Sequence, residues 1–400
     1  MLADSGPPAT APPADAPLVT LAAVTWDFAL VGRTRMLAEA WLRRRHPHVF
    51  AQVPSMRTAL ERLVAPLRGR PAVPVVRPWP AYPARWWPYV SKARYLRLVR
   101  RRAAELRRQL DRHTDLRAAT AIVVSPVWSP WLAFLPFRHV VYDCIDDAAV
   151  HVPRPELAPV VRTWERELLD RTSGVVVTAT PLAESIRALR PEMPLATIRN
   201  GVDVERFRGA AQRLPRPADL PDGRRPIVGF VGALYDWIDW GLIRQVAERM
   251  PECDFVLVGP HDGRGQPRSL AGLRNVYMPG RKPYDQVPAY VQAFDVCWVP
   301  FDQSRVSRAA NPVKIYEYLA LGKPVVTTPV ADTDSFGNLV RVGQDAGDIV
   351  GHLQAAVAER DRAAHDARDS AVAAARVAFA RDNSWDARAA AFVDFVHALR

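Results

Sequence analysis

The stretch that decides the fold is residues 311–328, which read Asn-Pro-Val-Lys-Ile-Tyr-Glu-Tyr-Leu-Ala-Leu-Gly-Lys-Pro-Val-Val-Thr-Thr. Asn311 is expected to cap a helix through its side-chain oxygen, and Pro312 suits the first helical position because it has no N–H to leave unpaired. Gly322 can adopt the left-handed conformation that ends a helix, and Pro324 prevents the helix from continuing. The apolar Val-Val-Thr that follows predicts a buried strand. The stretch therefore predicts a short helix, a tight turn and a strand in succession.

The start of this helix has the chemistry of an anion site. Ala309 and Ala310 precede it, and small residues there let the backbone N–H groups and the positive end of the helix dipole face an anion. Lys314 adds a charge in the first turn, and Glu317 shares its face at i+3. A cation for phosphate and a carboxylate for sugar hydroxyls suit a nucleotide-sugar site. The alternative is an ordinary amphipathic helix whose charges are solvated.

The pattern Pro-x-Lys-x-x-Glu-Tyr-x-Ala-x-Gly-Lys-Pro-Val-Val resembles the donor-site helix of family 4 glycosyltransferases, bacterial relatives of which assemble cell-surface polysaccharide and teichuronic acid. The segment Asn200-Gly201-Val202-Asp203-x-x-x-Phe207 is also characteristic of that family. The resemblance implies an α/β protein with the GT-B fold, in which two Rossmann-like doubly wound domains face each other across a cleft. It further implies that Glu317 holds the donor ribose hydroxyls and that Lys314 lies near the diphosphate.

Composition bounds the class of protein. A chain of 400 residues is too long for one typical core, so two domains are expected. The three cysteines are widely separated, which indicates a reducing compartment and neither a disulfide framework nor a metal site. No apolar run approaches the roughly 18 residues that would span a bilayer, and the first residues lack the order of a signal peptide. The sequence therefore predicts a cytoplasmic protein.

The domain boundaries follow from shifts in composition and from the strand–helix rhythm. We predict a disordered tail over 1–17, an acceptor-side Rossmann-like domain over 18–207, a linker over 208–226, a nucleotide-sugar-binding Rossmann-like domain over 227–380 and a terminal helix over 381–400 that crosses back to the first domain. The alternation of strands and helices predicts a parallel sheet in each domain.

Positive charge is concentrated in the first third of the chain. Residues 1–120 carry 21 Lys+Arg and 8 Asp+Glu, a net charge of +13, so the other 280 residues hold 33 basic and 34 acidic residues, a net charge of −1. Much of this charge lies in the segment 86–112, where Trp86 and Trp87 precede a predicted amphipathic helix. A basic helix beside aromatic residues is typical of a segment that binds anionic lipid. The alternative is a domain helix with solvated arginines; no motif supports nucleic-acid binding.

Polar loops follow the predicted strands of the first domain. Asp146 and Asp147 come after a strand end, where carboxylates could orient acceptor hydroxyls, act as a base or merely cap the next helix. Gly32 and Arg33 end the loop after the first strand. In the resembling family this loop lies over the sugar-diphosphate, so both are candidate ligands; a simple turn is the alternative.

The second domain supplies the remaining donor-site candidates. The resemblance implies that the backbone near Arg281 frames the nucleotide base, and Gly232 would let the diphosphate approach closely because it has no side chain. The chain departs from the family pattern at two places. Ala309 replaces a glutamate eight residues before Glu317, and residues 235–239 replace a basic pair. Lys314, with Arg305 or Arg308, would have to neutralise the diphosphate.

These observations predict a glycosyltransferase that moves a sugar from a nucleoside-diphosphate sugar to a lipid-linked or polysaccharide acceptor. The resemblance implies retention of anomeric configuration and a role in the cell envelope. A UDP-sugar is the expected donor, with no cofactor, no metal and no nucleic-acid partner, and the inner face of the membrane is the expected location. A nucleotide-sugar epimerase of the same architecture and a catalytically silent assembly partner are the alternatives.

Overall fold

The computed structural model describes residues 16–26, 32–55, 58, 73–80, 92–150, 152, 155–261, 269–363 and 367–399. In the first domain the strands are β1 Leu18–Leu21, β2 His48–Ala51, β3 Val75–Val76, β4 Thr120–Val123, β5 His139–Cys144, β6 Gly174–Val177 and β7 Leu195–Thr197. The helices are α1 Arg33–Arg43, α2 Lys92–Leu110, α3 Ser129–Leu132, α4 Ala158–Leu169 and α5 Thr180–Leu189.

In the second domain the strands are β8 Ile227–Val231, β9 Asp254–Val258, β10 Val276–Tyr277, β11 Val296–Val299, β12 Val325–Thr327 and β13 Val340–Val342. The helices are α6 Val204–Arg213, α7 Trp240–Arg249, α8 Val287–Ala293, α9 Arg305–Ala309, α10 Val313–Ala320, α11 Ala346–Ala363 and α12 Ala367–Asp382, followed by α13 Trp385–Ala398.

Both sheets are parallel and doubly wound. The first has the order β3-β2-β1-β4-β5-β6-β7 and the second the order β10-β9-β8-β11-β12-β13. The order reverses direction between β1 and β4 and between β8 and β11, and the crevice at such a reversal is where ligands bind in this class. The central strands are apolar and buried, as expected for strands covered on both faces. The predicted α/β class with two Rossmann-like domains is confirmed.

The chain passes between the domains twice, and the two passages touch. The backbone N–H of Val202 donates to the carbonyl of Asn383 at 3.2 Å, and that of Trp385 donates to the carbonyl of Val202 at 3.1 Å. Gly201 makes this approach possible, since a Cβ there would lie 2.5 Å from the Asn383 oxygen. Beyond the passage α13 packs on α1, where the indole N–H of Trp41 donates to the carbonyl of Ala389 at 3.1 Å. The final helix therefore belongs to the core of the first domain.

Two predicted boundaries differ from the structure. The tail predicted over 1–17 lies outside the described residues up to residue 15, but Ala16 is buried and the carbonyl of Pro17 accepts from Thr120 N at 2.9 Å. The linker predicted over 208–226 begins inside α6. Phe207, on that helix, is buried in the core of the second domain. The proline and arginine content correctly predicted that the segment after α6 is irregular. It did not reveal the end of α6 itself, because a helix that packs through one apolar face differs little in composition from a linker.

The basic helix ends at Leu110, close to the predicted 112, and uses its apolar face internally. It spans Lys92–Leu110, while residues 86–91 lie outside the described part of the chain. Its apolar stripe is fully buried against the first sheet, at Val99, Ala103, Leu106 and Leu110. That stripe is therefore not available to insert into a bilayer, whereas the exposed arginines of the helix can contact lipid. Among the described residues, no helix is both long and apolar enough to traverse a membrane.

Candidate functional site

Two cavities adjoin each other: the smaller lies in the second domain, and the larger is lined by both domains. The smaller, of about 180 Å³, is lined by the ends of β8 and β9, the loop around Arg281 and the start of α10. The larger, of about 990 Å³, is lined by the loop after β5, by α5 and by α9. Lys314 and Trp237 line both cavities. The start of α10 therefore faces two connected spaces at the crevice that the strand order predicts for a ligand.

The start of α10 is built differently from the prediction. The helix begins at Val313, and no side chain caps it. Asn311 instead joins the domains: its side-chain oxygen accepts from the backbone N–H of Asn200 at 2.9 Å, and its carbonyl accepts from the Asn200 amide nitrogen at 2.6 Å. The predicted cap is wrong because Asn200, 111 residues away, takes that oxygen. The N–H groups of Val313 and Lys314 have no intrahelical acceptor, as in the first turn of any helix, and no side chain caps this end.

The end of α10 has the predicted geometry. Gly322 has φ of +69°, its N–H donates to the carbonyl of Leu319 at 2.9 Å, and the N–H of Lys323 donates to the carbonyl of Tyr318 at 3.2 Å. This pair of hydrogen bonds is the Schellman motif, which requires a left-handed residue and therefore favours glycine. The turn fixes α10 directly before β12.

Lys314 occupies the space that Gly232 leaves open. A Cβ on Gly232 would lie 1.9 Å from Cε of Lys314 and 2.8 Å from its Nζ. The ammonium also lies 5.9 Å from the ring centroid of Phe230. Burial lowers the pKa of Lys314, and the nearby Glu317 opposes this change only in part. The glycine thus makes room for the lysine chain, a role that the sequence did not indicate.

Glu317 is buried within hydrogen-bond reach of Tyr284. The Tyr284 hydroxyl donates to Oε1 of Glu317 at 2.8 Å. Burial raises the pKa of Glu317, with Lys314 and this hydrogen bond acting in the opposite direction. The structure brings Lys314, Glu317, Gly232 and Arg281 together around the smaller cavity. Tyr284 was not predicted as a site residue. Its position three residues after the candidate Arg281 is the feature of the sequence that could have indicated it.

We expect Glu317→Ala to weaken nucleotide binding by about 10- to 100-fold, because a hydrogen bond to a charged group contributes about 1.5–3 kcal/mol. Affinity should also fall on acidification, with a midpoint above the ordinary pKa of 4.5, because burial raises the pKa of this carboxyl. Calorimetric titration with UDP from neutral to acidic pH measures both effects. Glu248→Ala on the exposed face of α7 is the control. Equal affinities of the two variants would contradict the assignment.

Arg33 and Asp143 form a buried ion pair in the first domain. Nε and Nη2 of Arg33 donate to the carboxylate at 2.9 to 3.1 Å, and both side chains are almost fully buried. Nη1 donates to the carbonyls of Ile198 at 2.9 Å and Arg199 at 3.1 Å. Neither Gly32 nor Arg33 lines either cavity. The guanidinium therefore ties α1 to the ends of β5 and β7, whereas the sequence predicted it as a diphosphate ligand.

The carboxylates after β5 lie on the larger cavity. Asp146 and Asp147 both line it. Asp147 accepts from the backbone N–H of Ala149 at 3.1 Å within a turn and pairs with Arg162 at 3.4 Å. The next helices that the structure describes begin at Pro155 and Ala158, so this carboxylate does not have the predicted capping role. Glu165, which the sequence analysis missed, lines the same cavity and accepts from the Tyr142 hydroxyl at 2.9 Å. In the described part of the chain, no three His, Cys, Asp or Glu side chains are grouped to hold a metal ion.

The chain is similar to known glycosyltransferases in sequence. Residues 225–361 match the family described as Glycosyl transferases group 1. The chain is 30% identical over 205 residues to the putative teichuronic acid biosynthesis glycosyltransferase TuaH of Bacillus subtilis (strain 168), covering 48% of this chain and 51% of that protein. It is 27% identical over 213 residues to D-inositol 3-phosphate glycosyltransferase of Mycobacterium sp. (strain JLS), covering 49% and 46%. The chain thus spans about half the length of the curated relatives it matches.

Solved structures share the architecture over nearly the whole chain. The crystal structure of Anabaena Alr3699/HepE in complex with UDP and glucose has a TM-score of 0.62 at 16% identity, covering 96% of this chain and all of that chain. Sucrose-phosphate synthase from Thermosynechococcus elongatus has a TM-score of 0.67 at 16% identity, covering 94% and 98%. At these identities the likeness shows the fold, which is GT-B. Residues 225–361 therefore form a group 1 glycosyl transferase domain in a chain with the GT-B fold.

Proposed function

We propose that the protein transfers a sugar from a nucleoside-diphosphate sugar to a hydroxyl of a lipid-linked or polysaccharide acceptor, with retention, in cell-envelope or exopolysaccharide synthesis. One observation carries this proposal: Lys314, beside the uncapped start of α10, lines both cavities. A donor in the smaller cavity and an acceptor in the larger would meet at this cation. The family match covers the donor-side domain and supports the same arrangement.

The donor would be held by its nucleotide and its diphosphate. Glu317 would accept hydrogen bonds from the ribose hydroxyls, and the backbone near Arg281 would frame the base. The diphosphate would lie at the first turn of α10, where the N–H groups of Val313 and Lys314 and the helix dipole favour an anion. A UDP-sugar is the proposed donor, and the Alr3699/HepE complex with UDP and glucose supports this choice.

Transfer would require stabilisation of the leaving group. As the bond from the anomeric carbon to the diphosphate oxygen breaks, negative charge develops on that oxygen. The acceptor oxygen bonds to the carbon, and its proton passes to the departing diphosphate. The helix N–H groups and the Lys314 ammonium would stabilise this charge, and groups fixed in the fold need little reorganisation when the charge appears. Asp146, Asp147 and Glu165 would orient hydroxyls of the acceptor from the other side of the larger cavity.

Incubation with a panel of nucleotide sugars and candidate acceptors tests the proposal. Release of nucleoside diphosphate together with a glycosylated product is the expected result. Conversion of one nucleotide sugar into another without release would indicate an epimerase. A protein that binds UDP but catalyses neither reaction would be a silent assembly partner. Ala309 and the missing basic pair at 235–239 favour that alternative. Either of the last two results would overturn the transferase.

The exposed face of α2 supports attraction to an anionic membrane surface. Arg97, Arg100, Arg101 and Arg108 are exposed on it, and Arg102 lies 6.0 Å from the ring of Trp79, which is 36% exposed. Each basic residue near an anionic bilayer contributes about 1 kcal/mol. Because the apolar stripe of α2 is buried, we propose an electrostatic attachment that depends on salt rather than an inserted helix.

We therefore expect a charge-reversed variant to bind phosphatidylserine vesicles at least about tenfold more weakly. In this variant glutamate replaces Arg97, Arg100, Arg101 and Arg108. Co-sedimentation at low and high salt measures the binding, with phosphatidylcholine vesicles for comparison. The control reverses four exposed arginines elsewhere, Arg171, Arg213, Arg224 and Arg249, so that the net charge changes equally. Equal losses in both variants, or equal binding to neutral vesicles, would refute the surface.

A further inference from the structure

The larger cavity has an apolar wall formed by α5. Pro181, Leu182, Ile186 and Leu189 line it, so one face of the helix borders the cavity along its length of about 15 Å. Leu182 and Ile186 are buried, whereas Leu189, at the end of the helix, is 44% exposed. The wall thus passes from the interior of the cleft to the surface of the protein.

Two exposed apolar side chains lie at this cavity. Five large apolar side chains are exposed among the described residues, and two of them, Leu189 and Val150, line the cavity. Single exposed apolar residues are ordinary, but apolar residues that gather around a concave site mark a surface that binds an apolar group. Nucleotide sugars and free glycans have no such group to cover Leu189 and Val150.

Positive charge lies beside this wall. Arg305 and Arg308 line the cavity from α9, which packs against α5. Both are exposed, and α9 itself contains no acidic residue. Arg162, also on the cavity, differs because it pairs with Asp147 at 3.4 Å. Arginine binds phosphate with several N–H donors at once, so two arginines on one short helix suit a phosphate group.

We propose that the larger cavity binds a membrane lipid that carries a phosphate beside its apolar chain, and that this lipid bears the acceptor hydroxyl. The apolar chain lies along α5 and leaves between Leu189 and Val150, while the phosphate lies at Arg305 and Arg308. The carboxylates after β5 face the hydroxyl-bearing part. This inference rests on the proposed transferase and narrows its acceptor to one class, since a polysaccharide without a lipid anchor would leave the apolar wall uncovered.

Calorimetric titration of the full chain with farnesyl phosphate, farnesol and inorganic phosphate tests this site. Farnesyl phosphate should bind most tightly. Leu189→Asp should weaken it by about tenfold or more, the equivalent of losing one buried leucine contact. Leu214→Asp is the matched control, because Leu214 is 37% exposed and lies away from the cavity. The double variant Arg305→Gln/Arg308→Gln should weaken farnesyl phosphate about tenfold and leave farnesol unchanged.

Equal affinities of Leu189→Asp and Leu214→Asp would overturn the inference, and so would farnesol binding as tightly as farnesyl phosphate. UDP titration of Leu189→Asp checks the fold and separates the two proposals. UDP binding without farnesyl phosphate binding would remove the lipid site alone. Farnesyl phosphate binding with the expected variant effects, in a protein that binds no UDP and transfers no sugar, would support the lipid site and remove the transferase.

Discussion

Replacing Lys314 with methionine is expected to lower the rate of sugar transfer by about 10²- to 10³-fold, the usual effect of removing one group that stabilises developing negative charge. The methionine chain fills the space above Gly232 that the lysine chain occupies, so the fold should persist. The physical reason is that Lys314 lies in the first turn of α10 and lines both cavities, with its side chain against Gly232. Nucleoside diphosphate release under donor saturation measures the change.

The matched control for this substitution is Lys282→Met. Lys282 also lines the smaller cavity, but it forms an ion pair with Asp219, and the transfer rate should change by less than about threefold. Equal losses in the two variants would contradict the assigned role of Lys314.

The pH profile gives a second measurement on the same lysine. Burial lowers the pKa of Lys314 below the ordinary 10.5, so the active protonated form is lost at a lower pH than for a solvated lysine. Transfer should therefore decline as pH rises through this lowered pKa, and the decline should be absent from the residual activity of Lys314→Met. A wild-type profile without an alkaline decline would contradict the need for the ammonium.

Arg33→Met is expected to destabilise the protein by about 3–5 kcal/mol, because it leaves the Asp143 carboxylate buried and unpaired. It also removes the donors to the carbonyls of Ile198 and Arg199. Unfolding in denaturant measures the loss. The double variant Arg33→Met/Asp143→Leu should recover much of it, since an apolar pair often replaces a buried ion pair at little cost.

A second arginine on α1 serves as the control for Arg33. Arg35 pairs with Glu39 at 2.8 Å near the surface, and Arg35→Met should cost no more than about 1 kcal/mol. If Arg33→Met left stability unchanged and weakened UDP binding instead, the residue would be the diphosphate ligand that the sequence predicted. The experiment thus decides between a ligand and a structural ion pair.

Features that depend on neighbours in the chain could be predicted from sequence. The helix and strand within 311–328, and the glycine turn between them, follow from local backbone preferences. The apolar strands and their spacing predicted two doubly wound sheets for the same reason. Lys314 and Glu317 could be singled out because residues at i and i+3 share a helix face. The same periodicity predicted the basic helix, which ends at Leu110, close to the predicted 112.

Tertiary structure decided the partners of polar and apolar side chains alike. Asn311 bonds Asn200 instead of capping its helix, and Arg33 pairs with Asp143, 110 residues away. The apolar stripe of α2 lies against a sheet, and Gly232 makes room for Lys314. A side chain has more than one way to satisfy its hydrogen bonds or bury its surface. Local sequence offers these choices, and only the packing of distant segments selects among them.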